Sequence, residues 1–141
     1  MSEANKKYVR PSFLGPHEGR ELELMLAESK HLSSFVEELG IERETFPERQ
    51  FDFHVAEGHF VKDIRVVNWI SRDEEEISSR SVLYATANEA WRIPAMRMVE
   101  DIYYSMGPGW RPDLERIKGH LLGYDREDVE RFIERLTERK G

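Results

Sequence analysis

The stretch from Phe60 to Ala87 constrains the fold most. It reads as two strands, Phe60–Ile70 and Ser79–Ala87, joined by the charged loop Ser71–Ser78. Phe60, Ile64, Val66 and Ile70 fall on one side at period two, interrupted by Lys62 and Asn68. Asp63 and Arg65 share the other side with Val61, Val67 and Trp69. In the second strand Leu83, Ala85 and Ala87 alternate with Val82, Tyr84 and Thr86. β-branched and aromatic residues are frequent in both runs, as strands prefer. Neither face is purely polar, so one is core and the other is partly covered by a helix or a partner. Two strands alone are marginal in water, so a third strand or a helical layer must join them.

The rest of the chain supplies that cover. Residues 1–15 read as a polar N-terminal arm in which Phe13 and Leu14 are candidates to tuck into the core. From His17 to Ser29 the pattern is helical, with Leu22, Met25, Leu26 and Ser29 on one stripe. Leu32, Phe35, Val36 and Leu39 also have helical spacing, but Ser33–Val36 reads equally as a short strand after a turn at Lys30-His31. Gly40 to Gln50 is a connector anchored by Ile41 and Phe46, and Phe51–Gly58 is a short helix with Gly58 as its stop.

After Ala87, a helix is expected from near Ile93 to Met106, with Pro94 in its first turn. Its stripe is Ala95, Val99, Ile102 and Met106, and Gly107-Pro108-Gly109 ends it. Pro112 opens the next helix, whose apolar face is Leu114, Ile117, Leu121 and Leu122, with Gly123 as stop. The last helix is capped by Asp125, with Tyr124 placed to pack on Val129 in a hydrophobic staple. Its stripe is Val129, Phe132, Ile133 and Leu136.

One order of segments is suggestive. Glu-Leu-Met-Leu-Ala over 23–27, an apolar run, Trp91-Arg92-Ile93 and Leu121-Leu122-Gly123-Tyr124 together resemble small bacterial proteins of no assigned function. The resemblance implies no activity. It implies a strand over 32–37, which would be the third strand that the hairpin needs. The expected fold is therefore a single α+β domain over residues 16–141. A small antiparallel sheet built on the 60–87 hairpin is packed by an N-terminal helix and three C-terminal helices.

Composition narrows the function classes. At 141 residues the chain is one domain by size, long enough to bury a real core. It holds no cysteine, which removes disulfides, thiolate nucleophiles and Cys-ligated metal. No stretch approaches the length of a membrane span, and Met1–Lys7 has no apolar core of a signal peptide, so no membrane and a cytoplasmic location are expected. The net charge of −7 is concentrated in residues 31–90, which argues against nucleic acid. The acidic half is either a solvated surface or a docking face for a basic partner.

No catalytic constellation stands out. His54 and His59 lie five residues apart, so on a helix they do not share a face, and no metal or other cofactor is expected. Gly107-Pro108-Gly109 follows a helix and lacks the context of a phosphate loop, and Ser33, Ser34, Ser78 and Ser81 have no companion for nucleophilic catalysis. The candidate binding residues are Trp91, Arg92, Arg97, Asp101 and Tyr104, a strip of the residue types that dominate binding energy. The competing reading of that strip is an ion-paired outer helix face. Two functions follow. One is a non-catalytic interaction or accessory module that binds a protein partner. The other is a small-molecule enzyme or binding protein with its site between the sheet and the helix 94–106. An enclosed pocket with converging polar groups would favour the second.

Overall fold

Three antiparallel strands organise the computed structural model of the chain, which describes residues 17, 19–39, 47–70, 73–106 and 109–140. They are β1 (Leu32–Glu38), β2 (Phe60–Ile70) and β3 (Glu76–Thr86), in the order β1-β3-β2. In the hairpin, Phe60 lies opposite Thr86 and Ile70 opposite Glu76. On the other side of β3, Leu32 lies opposite Ala85 and Glu38 opposite Ser79. The 32–37 segment is thus a strand, and it completes the sheet. β3 starts at Glu76 rather than Ser79, because its acidic first residue stays in solvent while the backbone pairs. The helices are α1 (Glu21–Leu26), α2 (Glu48–Ala56), α3 (Arg92–Ser105), α4 (Pro112–Leu122) and α5 (Arg126–Lys140). A single 3-10 turn, Ala87–Glu89, joins β3 to α3. This is an α+β fold. The N-terminal arm, and Ile41 and Phe46, lie outside the described residues.

Both sheet faces are covered. Leu32, Leu83 and Ala85 pack on Met96 and Val99 of α3 and on Leu114 and Leu121 of α4. On the opposite face, Phe35, Phe60, Val82 and Tyr84 pack on Met25 of α1 and Phe51 of α2. Val82 to Ala85 in the central strand are therefore fully buried, and each large side chain among them contributes about 1.5–3 kcal/mol of hydrophobic stabilisation.

The face assignment of β2 departs from expectation. Phe60 is buried, but Ile64, Val66 and Ile70 on the same side are 47%, 53% and 62% exposed. The C-terminal helices cover the side that carries Asp63 and Arg65 instead. The cost of those charges is met by Arg97, which bonds Asp63, and by Asp101, which bonds Arg65. On the α2 side a second polar network ties the layers together. The Tyr84 hydroxyl donates to Asp52 at 2.8 Å, and Lys62 bridges Asp52 at 2.8 Å and Glu48 at 2.9 Å. Arg80 reaches both Glu37 and Glu48, and it holds the Glu48 carboxyl down at about 2.

Helix ends follow local chemistry. α1 stops at Leu26, short of Ser29, because Glu28 turns the chain with φ of 59°. Leu26 is consequently exposed, while Met25 is buried. α2 begins before Phe51, at Glu48. Of the expected stripe of α3, Val99 is buried and Ala95 packs on the core, joined by Met96 and Arg97, while Ile102 and Met106 are exposed. On α5, Val129 and Ile133 are buried, and Phe132 lies half-buried against Trp110. α4 starts at Pro112 and ends at Gly123, whose φ of 85° lets the Tyr124 N–H reach the Gly119 carbonyl at 3.0 Å.

That tight turn presses α4 onto α5. A Cβ on Gly119 would sit 2.5 Å from Cγ2 of Val129, a stiff, buried, β-branched neighbour. Gly119→Ala should therefore destabilise by about 1–2 kcal/mol, overpacking outweighing the ~1 kcal/mol that alanine gains in a helix. Urea melts would measure it, and a stabilised variant would show that the helices can separate freely.

Candidate functional site

The sheet face beneath α3–α5 changes character along its length. At one end it presents Leu32, Leu83 and Ala85 to the core. Further along, the register places Val36 beside Ser81, and Glu38 and Val67 beside Ser79. Short serine side chains cannot fill the space under the helices as leucine does. The result is a cavity of about 780 Å³ between the sheet and α3, α4 and α5. Its apolar wall includes Val36, Val67, Met96, Leu122, Val129 and Phe132. Polar groups converge on it as well: Ser34, Glu100, Tyr104, Glu115, Lys118 and Asp128.

Of the five residues singled out in the sequence, Tyr104 lines this cavity, at its mouth and 61% exposed. Partial burial raises its hydroxyl pKa, so it stays a protonated donor at neutral pH. Arg97 stands beside the cavity as a strut. It is 6% exposed, and its donors are all used. Nε bonds Asp63 at 2.8 Å, Nη1 bonds the Ser81 hydroxyl and Glu100 at 2.9 Å each, and Nη2 bonds the Ser81 and Asp63 carbonyls at 3.0 and 3.3 Å. It thereby fixes Glu100 and Ser81, both of which line the cavity. Asp101 pairs with Arg65 at 2.6 Å on a shallow outer depression.

Trp91 and Arg92 lie elsewhere. Trp91 is 52% exposed, donates to Glu89 at 3.0 Å and carries the Arg92 guanidinium over its ring at 4.8 Å. Arg92 pairs with the same Glu89 at 2.8 Å and donates to the carbonyls of Leu121 and His120 at 3.1 and 3.3 Å. It caps the C-terminal end of α4, where a cation meets the negative end of the helix dipole. Of the five, Arg97 and Asp101 line the outer depression together, Tyr104 lines the cavity, and Trp91 and Arg92 sit at the start of α3.

Glu115, Lys118, Ser34 and the helix-interior Gly119 line the cavity and were not singled out in the sequence. An interior helix glycine is a signal of close approach, and Gly119 carries it. Glu115 accepts the Tyr103 hydroxyl at 2.6 Å, and burial with that carboxylate pushes the Tyr103 pKa up to about 12.

Behind the cavity wall, Lys30 is buried under Tyr124, with Nζ 5.0 Å from its ring centroid. It donates to the Leu122 carbonyl at 2.5 Å and to His17 Nδ1 at 3.0 Å. The His17 ring stacks on Tyr124 with centroids 4.2 Å apart. Burial lowers Lys30 to about 8 from 10.5, and burial beside Lys30 lowers His17 to about 4. Between pH 8 and 10.5 the unfolded chain then binds more protons at Lys30 than the folded one, so stability rises with pH across that window. For His17, stability is lost as pH falls from 6.5 towards 4. The stability difference between wild type and Lys30→Met should shift in favour of wild type by roughly 2 kcal/mol from pH 7 to pH 10. A pH-independent difference in urea melts would place that ammonium in water.

His54 and His59 do meet, contrary to the helical-face argument. Gly58 reverses the chain with φ of 85°, which brings the two Nδ1 atoms to 3.2 Å. Among the described residues no group of three or more His, Asp or Glu side chains is placed to hold a metal ion, and no helix is long and apolar enough to cross a membrane.

No family model, curated protein or solved structure matches this chain.

Proposed function

We propose that this chain is a small-molecule-binding protein whose ligand occupies the cavity between the sheet and α3–α5. The observation that carries the reading is a cavity of about 780 Å³, open at one side, with an apolar wall and several convergent polar groups. That combination of size and lining is what small-molecule sites share. The acidity of residues 31–59 gives less support to a docking face for a basic partner, because Glu37, Glu48 and Asp52 are already paired with Arg80 and Lys62. A thermal-shift screen with neutral, anionic and cationic amphipathic compounds tests the reading, since any ligand of the native state raises stability by mass action. At least one compound should raise the melting temperature of wild type but not of Ser34→Leu, which fills the cavity from the sheet. A screen without a single such compound would overturn it.

A second reading, an interaction module, is favoured by a different surface. Ile64, Val66 and Ile70 form an exposed apolar row on β2, an edge strand of the sheet. Light scattering of wild type and Val66→Lys separates the readings. A larger assembly in wild type that Val66→Lys dissolves would support association through this row, while a monomer in both would leave the cavity as the working feature.

A further inference from the structure

We infer that the ligand of this cavity is an anionic amphipath, an apolar body bearing one carboxylate, and that Lys118 receives the carboxylate. The inference rests on the reading of the cavity as a ligand site. It comes from a comparison of the charged groups on the cavity wall, which are Glu100, Glu115, Lys118 and Asp128.

The three carboxylates are committed. Glu100 accepts from Arg97 at 2.9 Å, Glu115 from the Tyr103 hydroxyl at 2.6 Å, and Asp128 from Arg131 at 3.2 Å. Lys118 differs. It is the one lysine or arginine among the described residues lining the cavity, and its ammonium rests 5.6 Å from the centroid of the Tyr103 ring. No ion pair or hydrogen bond to it is formed by the described residues. An ammonium has three N–H donors and no acceptor, and an aromatic face satisfies them only diffusely. A ligand carboxylate can bind there without breaking any bond already made. A ligand ammonium would have to compete with Tyr103 for Glu115 or with arginines for Glu100 and Asp128. The rest of the wall, from Val36 on the sheet across to Leu122 and Phe132 on the helices, suits a hydrocarbon or aromatic body. A charge taken into such a place must be paired, and Lys118 supplies the pairing.

The test uses three probes of one chain length below their micelle concentrations: decanoate, decan-1-ol and decylammonium. Binding to wild type, Lys118→Met, Lys118→Arg and Ser34→Leu is followed by calorimetric titration. Decanoate should bind wild type, weaken about tenfold or more in Lys118→Met and be largely retained in Lys118→Arg, as for one charge-assisted hydrogen-bonded contact. Decan-1-ol should bind wild type and Lys118→Met alike and be lost in Ser34→Leu. If Lys118→Met leaves decanoate unchanged, or decylammonium binds as tightly as decanoate, the assignment to an anion fails. The cavity reading then still stands, provided that decan-1-ol binds and Ser34→Leu abolishes it. Absence of binding by all three probes overturns both.

Discussion

Arg97→Met should destabilise the fold by about 3 kcal/mol, because it strips a buried guanidinium from a network that no other residue can complete. The side chain makes five hydrogen bonds, four of them from α3 to the sheet, including two to the Ser81 and Asp63 carbonyls, and one to Glu100 on α3 itself. Methionine replaces the stem and none of the donors. Ser81, itself buried, is left with its carbonyl and its hydroxyl unpartnered by that side chain. Asp63 is half exposed and can rehydrate, which keeps the loss below that of a fully buried pair. Arg92→Ala sets the scale for comparison. It removes an ion pair and helix-end contacts nearer solvent and should cost about 1 kcal/mol. Urea melts of the two variants check the ranking. An Arg97→Met variant within 1 kcal/mol of wild type would mean that the guanidinium is solvated. The same variant should also lose the ligand-induced thermal shift, because Arg97 positions Glu100 and Ser81 at the cavity.

Arg97 also explains why the sequence was legible in some places and not in others. Strand alternation made the hairpin readable, and Gly58, Pro112 and Gly123 marked real helix ends. The choice of faces was not readable. Phe60, Ile64, Val66 and Ile70 look like the buried side of β2, and Asp63 with Arg65 look like the wet side. Phe60 is buried as that pattern suggests, but Ile64, Val66 and Ile70 are exposed, and Asp63 and Arg65 pair instead with Arg97 and Asp101, distant partners that no local pattern encodes. The same arginine lies buried on α3 beside Met96, while Ile102 and Met106 are exposed. An arginine on a helix reads as solvated until its acceptors are known.

Of the five residues singled out by type, Tyr104 alone lines the cavity. Ser34, Ser79 and Ser81 are unremarkable one by one, and they create space only when the register aligns them under three helices. Lys118 reads as an ordinary exposed helix position. Its meaning depends on the absence of a carboxylate partner in three dimensions, which sequence spacing does not give. Trp91 and Arg92 were chosen by residue type, and Arg92 proved to be tied to the end of α4.

Phe51→Ala should cost about 3–5 kcal/mol, the range for a large aromatic truncated in a core that cannot collapse. Phe51 is 0% exposed. Its ring lies 4.7 Å from that of Tyr84, 5.3 Å from Phe35 and 5.9 Å from Phe60, measured between centroids. Two of those rings stand on β3 and β1 and the third on β2, so this one side chain of α2 touches all three strands. The sheet cannot move inward to close the gap, because its other face is held by Met96, Val99, Leu114 and Leu121. Nor can α2 settle closer without disturbing the bonds of Asp52 to Tyr84 and Lys62. Phe51→Leu, which keeps most of the volume, should cost about 1–2 kcal/mol. A loss under 1 kcal/mol for the alanine variant would mean that α2 is not anchored on the sheet at all. The variant separates structure from function as well. Phe51 lies on the sheet face opposite the cavity, so at temperatures where Phe51→Ala is still folded it should bind decanoate with unchanged affinity, whereas Ser34→Leu should remain stable and bind none.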